Sequence, residues 1–228
     1  MSDRCQFGVC DGSGFVFDEE SNTAYDCRCR AGRIVTAKAR SLSAVIPRRY
    51  RDVAFDRWPV TEIDQPIVSA TRDYTKRIDS HLDAGRGLWF MGQVGTGKTT
   101  LAMLVSKAAL DAGRSVAIYS LPRLLNEIRD THRAERSHVN LLDRLTAVDL
   151  LHVDDVGAER TTDWVLEELY SIVNARYEDE RSMVITTNIL DREALCEQIS
   201  ERTVSRLTEM CDQLPLGGDD KRTVLRSA

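Results

Sequence analysis

Residues 92–99 read GQVGTGKT, an uninterrupted G-x-x-x-x-G-K-[ST], and no other stretch restricts the fold of this chain as strongly. Such an octapeptide works only between a buried strand and the first turn of a helix. Gly92, Gly95 and Gly97 let the backbone curl until successive N–H groups point at phosphate oxygens, in front of the positive end of that helix. Gln93, Val94, Thr96 and Thr100 complete the cradle. Lys98 supplies a mobile charge for the β- and γ-phosphates, and Thr99 a hydroxyl for Mg²⁺. The required context is present, with apolar Leu88-Trp89-Phe90-Met91 before the loop and helical Thr100-Leu101-Ala102-Met103-Leu104-Val105 after it. The chain is expected to bind a nucleoside triphosphate.

The remaining pattern predicts an α/β fold. Beyond Pro66, the spacing of Ile67, Ala70, Tyr74, Ile78 and Leu82 predicts one amphipathic helix ending at Gly85. Further strands are expected at 115–120, 149–153, 183–187 and 213–216, and helices at about 122–133, 139–146, 162–178 and 191–209. Strands alternating with helices predict a central parallel sheet covered on both faces, with ligands at the carboxyl ends of the strands. Three polar clusters sit where that rule wants them. The run Leu150-Leu151-His152-Val153 ends in Asp154 and Asp155; Asp154 suits a Mg²⁺ ligand and Asp155 the base that polarises the attacking water. His152 reads as a sheet-face residue. The strand Met183-Val184-Ile185-Thr186-Thr187 ends in Asn188, whose amide can orient water beside the γ-phosphate. The third cluster is Glu201-Arg202-Thr203-Val204-Ser205-Arg206-Leu207, followed by Asp219-Asp220-Lys221-Arg222. A guanidinium from a neighbouring subunit can stabilise phosphoryl transfer and couple it to assembly.

Four of the six cysteines, Cys5, Cys10, Cys27 and Cys29, lie near the N-terminus, and two thiolate pairs on two turns are what tetrahedral Zn²⁺ requires. Between them, Phe15-Val16-Phe17 and the polar turn at 18–22 read as a hairpin too small to stay folded without a metal. Free surface cysteines or a redox pair are the alternatives. Cys196 and Cys211 read as small core residues. From Cys27 to Arg51 run eight basic residues and no acidic one: Arg28, Arg30, Arg33, Lys38, Arg40, Arg48, Arg49 and Arg51. This is either a contact for nucleic acid or an acidic partner, or a solvated linker. With a net charge of −5 over 228 residues, any nucleic-acid contact is local; Arg123, Arg129, His132, Arg133 and Arg136 offer a second basic location. No apolar run approaches the roughly 20 residues a membrane span needs, so a soluble cytoplasmic protein is expected. Three units follow: a cysteine module at 1–32, a basic lead-in at 33–60 and an ATPase domain at 61–228.

The order GQVGTGKT, LLHVDD-x-GAE, ITTN, SERTVSRL and GDDKR resembles the DnaC/DnaI-type helicase loaders of the AAA+ ATPases, a branch shared with IstB-type transposition helpers. The resemblance covers about residues 45 to 228, starting at Ile46-Pro47-Arg48-Arg49-Tyr50. It implies a P-loop AAA+ domain behind a four-cysteine zinc module, with ATP and Mg²⁺ as ligands. It also implies that Arg206 is the arginine finger, Arg222 the sensor 2 arginine and Asn188 sensor 1. The implied activity is slow ATP hydrolysis, stimulated by DNA or a partner, since Asp155 stands where many AAA+ proteins carry Glu. The implied partners are a replicative helicase hexamer, single-stranded DNA and further copies of the chain. Alternatives are a transposition helper that forms filaments on duplex DNA, a small-molecule P-loop kinase, and a zinc-headed adaptor that uses ATP only as a switch.

Overall fold

In the computed structural model the described residues are 5, 7–18, 23–30, 46–132, 135–158 and 162–218, with only the backbone of 131–132 and 135–140. Arg222, Arg33, Lys38, Arg40, Arg133 and the hairpin turn at 19–22 lie outside them.

Strands β1 (Phe15–Asp18) and β2 (Thr23–Asp26) pair antiparallel as the expected hairpin, with Phe15 opposite Asp26. The lead-in makes two 3-10 turns, Arg48–Tyr50 and Val60–Glu62. Then come α1 (Gln65–Lys76), α2 (Ile78–Asp83), β3 (Gly87–Gly92), α3 (Lys98–Asp111) and β4 (Val116–Ser120). The chain continues through α4 (Leu121–His132), α5 (Glu135–Ala147), β5 (Leu150–Val156) and α6 (Asp163–Glu178). It closes with β6 (Ser182–Thr187), α7 (Arg192–Ile199), α8 (Glu201–Met210) and β7 (Cys211–Leu216). The five strands lie in the order β4-β5-β6-β3-β7, all parallel.

Two cores explain why the strands read as continuous apolar runs. Leu88 and Phe90 of β3 join Val68, Tyr74, Leu101 and Val105 on one face, while Trp89 and Met91 join Leu124, Leu145, Leu169 and Leu207 on the other. Alternate side chains of one strand feed opposite layers, so neither position can be polar. Fully burying side chains of this size contributes about 1.5–3 kcal/mol each. Gly87 has a separate reason to be small: a Cβ there would lie 2.1 Å from the Met183 carbonyl of the adjacent strand.

Two helices are shorter than expected. The amphipathic run after Pro66 breaks at Arg77, which leaves helical geometry at φ −115°, ψ 30° and divides α1 from α2. The run 191–209 breaks at Ser200, where φ is 74° and the side-chain oxygen accepts from the Thr203 N–H at 3.4 Å. Ser200 is thus an N-cap inside a continuous apolar period, and the cap starts a new helix where periodicity alone predicts one. Cys211 is buried and Cys196 packs against the core, as small apolar residues. No helix among the described residues is long and apolar enough to cross a membrane.

Candidate functional site

β3 delivers the glycine loop to the edge of the sheet, and α3 begins at its end with Gly97 as cap, at φ 104°. A Cβ on Gly97 would meet Ile63 Cδ1 at 2.3 Å, so the end of the second 3-10 turn packs directly on the glycine's hydrogen atom. Lys98 is 5% exposed and its ammonium donates to the carbonyls of Gly92 and Gln93, both at 2.8 Å. The Thr96 hydroxyl donates to the same Gln93 carbonyl at 2.9 Å. These bonds hold the loop curled at the N-terminus of α3, the end of a helix that attracts anions.

A cavity of about 540 Å³ opens over the loop, a size suited to a nucleotide. Its walls include Val94, Gly95, Gly97, Lys98, Thr99 and Thr100, together with Asp155 and Asn188 from the ends of β5 and β6. The sequence-predicted residues from three separate segments therefore meet at one place. Gly92, Gln93 and Thr96 act from behind, through the contacts just described.

The two acids reach their positions through an irregularity. Val153 pairs with Ile185 but Val156 with Thr187, so β5 carries one residue more than β6 between these points. Asp155 takes φ 59° there. In a regular strand adjacent side chains point to opposite faces; a bulge turns the second one aside. Asp155 lines the cavity, whereas Asp154 Oδ1 accepts from the Thr186 hydroxyl at 2.7 Å. The same hydroxyl oxygen accepts from the Asp155 N–H at 2.9 Å, so Thr186 fixes both acids at once. Behind them, His152 is fully buried, its Nδ1 2.9 Å from the Ser106 hydroxyl of α3, and burial pushes its pKa down to about 3. It is therefore neutral, a sheet-face link between β5 and the helix of the loop.

Sequence reasoning missed three parts of this site. Thr186 gave no signal beyond being a Thr at a strand end; its role depends on strand register. Tyr50, Val53, Trp58, Pro59 and Ile63 form a largely apolar wall of the cavity, with Arg49 beside them. Tyr50 to Pro59 fall in the stretch expected as a basic linker and entry segment and Ile63 in the expected ATPase domain, and the clustering of aromatic and proline residues there was the available clue. Ala158 completes the lining.

Arg206 does not line this cavity. It lies on α8 with its guanidinium carbon 4.2 Å from the centre of the Tyr177 ring. Among the other basic side chains, Arg123 and Arg129 lie over Tyr119 and Trp164 at 5.9 and 4.7 Å.

At the N-terminus, the Sγ atoms of Cys5, Cys10, Cys27 and Cys29 all lie within 4.8 Å of one another. Cys5 and Cys27 are 3.7 Å apart, and Cys10 and Cys29 3.5 Å. Four sulfurs at about 2.3 Å from a tetrahedral zinc would be separated by about 3.8 Å, so the set fits Zn²⁺. Backbone N–H groups of Cys10 and Val9 lower the Cys5 thiol to about 6, while burial and then the neighbouring thiols push Cys29 up to about 12. Four such thiols cannot all ionise together unless a cation shares them. The module also exposes Phe7, Val9, Phe15, Phe17 and Tyr25.

The IstB-like ATP binding protein family model matches residues 37–227. The chain is 27% identical over 160 residues to the "Replicative helicase loader DnaC" of Escherichia coli (strain K12), a match covering 69% of this chain and 64% of that protein. It thus spans somewhat less than two thirds of that relative. The crystal structure of the DnaC helicase loader superposes with a TM-score of 0.67 and 27% identity, over 75% of this chain and 100% of that one. A crystal structure of DnaI, at 22% identity and a TM-score of 0.59 over 81% of this chain and 100% of that one, shares the fold.

Proposed function

Because the chain belongs to the IstB-like ATP binding proteins, as a DnaC/DnaI-type member of the AAA+ ATPases, we propose that it is a cytoplasmic helicase loader. ATP binding assembles subunits around single-stranded DNA, the N-terminal cysteine module holds a replicative helicase hexamer, and hydrolysis releases it. The observation that carries this reading is the likeness to DnaC in both sequence and structure, each at 27% identity. The exposed Phe7, Val9, Phe17 and Tyr25 support it, since an apolar face on so small a module suits a protein partner.

In the hydrolytic step the loop N–H groups and Lys98 hold the β- and γ-phosphates. Thr99 and Asp154 would hold Mg²⁺, which neutralises charge on the phosphate oxygens. Asp155, turned into the cavity by the bulge, accepts a proton from water while the water oxygen bonds to the γ-phosphorus. The bond from that phosphorus to the β-phosphate oxygen breaks, giving ADP and inorganic phosphate. Asn188 orients the water and reports the γ-phosphate. Arg206 acts on the nucleotide of a neighbouring subunit, and Arg222 on that of its own. Asp155 has a shorter reach than Glu, so unstimulated turnover is slow. Cys5, Cys10, Cys27 and Cys29 hold a structural Zn²⁺. Residues 1–32, 33–60 and 61–228 serve as grip, basic lead-in and motor.

The test is capture of a purified replicative helicase by the full chain and by a chain lacking residues 1–45, each with and without ATP. We expect capture by the full chain and its loss on deletion. Absence of helicase capture, with ATP-dependent filaments on duplex DNA instead, would overturn the loader reading in favour of a transposition helper.

A further inference from the structure

Arg206 does not stand alone on α8. Arg202, one turn earlier, lies 4.8 Å from the Tyr170 ring, and Arg206 4.2 Å from the Tyr177 ring. The arginines are four residues apart on α8 and the tyrosines seven apart on α6, so each pair occupies one stripe of its helix. The two helices meet as a ladder with two rungs. Beneath the ladder, Leu169, Ile172 and Val173 of α6 share the core with Val204 and Leu207 of α8, which fixes the helices' relative position.

The second rung has a further tether. The Tyr177 hydroxyl donates to the Glu209 carboxylate at 2.6 Å, and Arg86 donates to the Glu209 backbone carbonyl at 3.0 Å. Arg86 also pairs with Asp212 at 2.7 Å, at the start of β7. The Tyr177 ring is thus fixed at its far end to the α8–β7 junction. Donation to Glu209 also holds the phenol above its ordinary value, so the ring stays neutral.

A free arginine side chain samples many rotamers, and that freedom is lost when it docks on a phosphate. A ring face removes part of that freedom beforehand. It attracts the cation through its quadrupole and does not require the in-plane N–H donors that a phosphate will need. A carboxylate in the same position would occupy those donors and cancel the charge.

We propose that Tyr177, tethered by Glu209, is the positioning residue of Arg206, holding its guanidinium outside its own cavity so that it is ready for the phosphates of a neighbouring subunit. The proposal rests on the reading of Arg206 as a trans-acting finger. It assigns Tyr177 a part in turnover with no contact to ATP.

The experiment measures ATP turnover by the full chain as a function of protein concentration for Arg206→Ala, Tyr177→Leu and Tyr177→Phe, with ATP affinity and thermal midpoint alongside. Arg206→Ala should abolish the concentration-dependent part of the rate. Tyr177→Leu should lower kcat of that part by about threefold to thirtyfold, the range of a cation–π contact, with KM for ATP unchanged. Tyr177→Phe, which keeps the ring, should recover most of the loss. Mixing Tyr177→Leu with Asp155→Asn subunits should raise the rate above either alone, since a Tyr177→Leu site then faces an intact finger. If Tyr177→Leu does not fold, Tyr177→Gln replaces it. Wild-type kcat in Tyr177→Leu, with Arg206→Ala inactive, would overturn the role of Tyr177 and leave the finger standing. Wild-type turnover in Arg206→Ala would instead overturn the finger and the proposal with it.

Discussion

At Gly97 a φ of 104° and the nearness of Ile63 make two independent demands on one hydrogen atom. Gly97→Ala should therefore cost about 1–2 kcal/mol of backbone strain before Ile63 moves, and weaken ATP binding by about tenfold or more. Titration with a fluorescent ATP analogue checks this, with the thermal midpoint as the control for the fold. Gly97 was legible in the sequence because the whole loop is contiguous, so its chemistry lies within eight letters. Asp155 was legible as an acid but not as a bulge: φ 59° and the shifted pairing of Val156 depend on β6. Thr186 was illegible for the same reason, since it binds two residues 32 and 31 positions away. A side chain whose meaning comes from a neighbouring strand carries no local mark.

Among the elements, the strands were easiest to read, because burial on both faces leaves short apolar runs in Leu88–Met91 of β3, Leu150 and Leu151 of β5 and Met183–Ile185 of β6. Helix ends were harder. Ser200 interrupts an apolar period that runs on through Val204 and Leu207, and only its capping bond divides α7 from α8. Arg176 on α6 was read simply as part of a helix, yet it is fully buried. Its guanidinium donates to the carbonyls of Leu145 and Ser182 at 2.6 Å, of Thr146 at 3.1 Å and of Asp149 at 3.4 Å. It therefore joins the end of α5, the turn before β5 and the start of β6. Burial lowers its pKa to about 9, so it remains charged at neutral pH. Arg176→Met should strand these carbonyls, at about 1–3 kcal/mol for each one left unpaired. A urea melt should give a lower midpoint with the slope unchanged, the shift multiplied by that slope amounting to at least about 3 kcal/mol.

On the scale of the whole molecule, the cysteine module and the sheet have different sources of stability. The sheet is held by two apolar cores, the hairpin by four sulfurs. Zinc analysis of protein purified without added metal should give about one ion per chain. Chelation should release it and unfold the hairpin, seen by amide exchange, while ATP affinity of the rest is retained. Recovery of well under one zinc, with Cys27→Ser harmless, would refute the metal site. The cysteine cluster and the glycine loop were each legible because they announce themselves by residue type and spacing, whereas the path of the chain before β3 was not. Residues 46–63 both follow the module and wall the cavity, through Tyr50, Val53, Trp58 and Ile63. A chain covers at most about 3.6 Å per residue, so covalent geometry alone keeps Arg30 and Ile46 no further apart than about 60 Å. Anything bound to the module would therefore stay within that reach of the nucleotide's own wall.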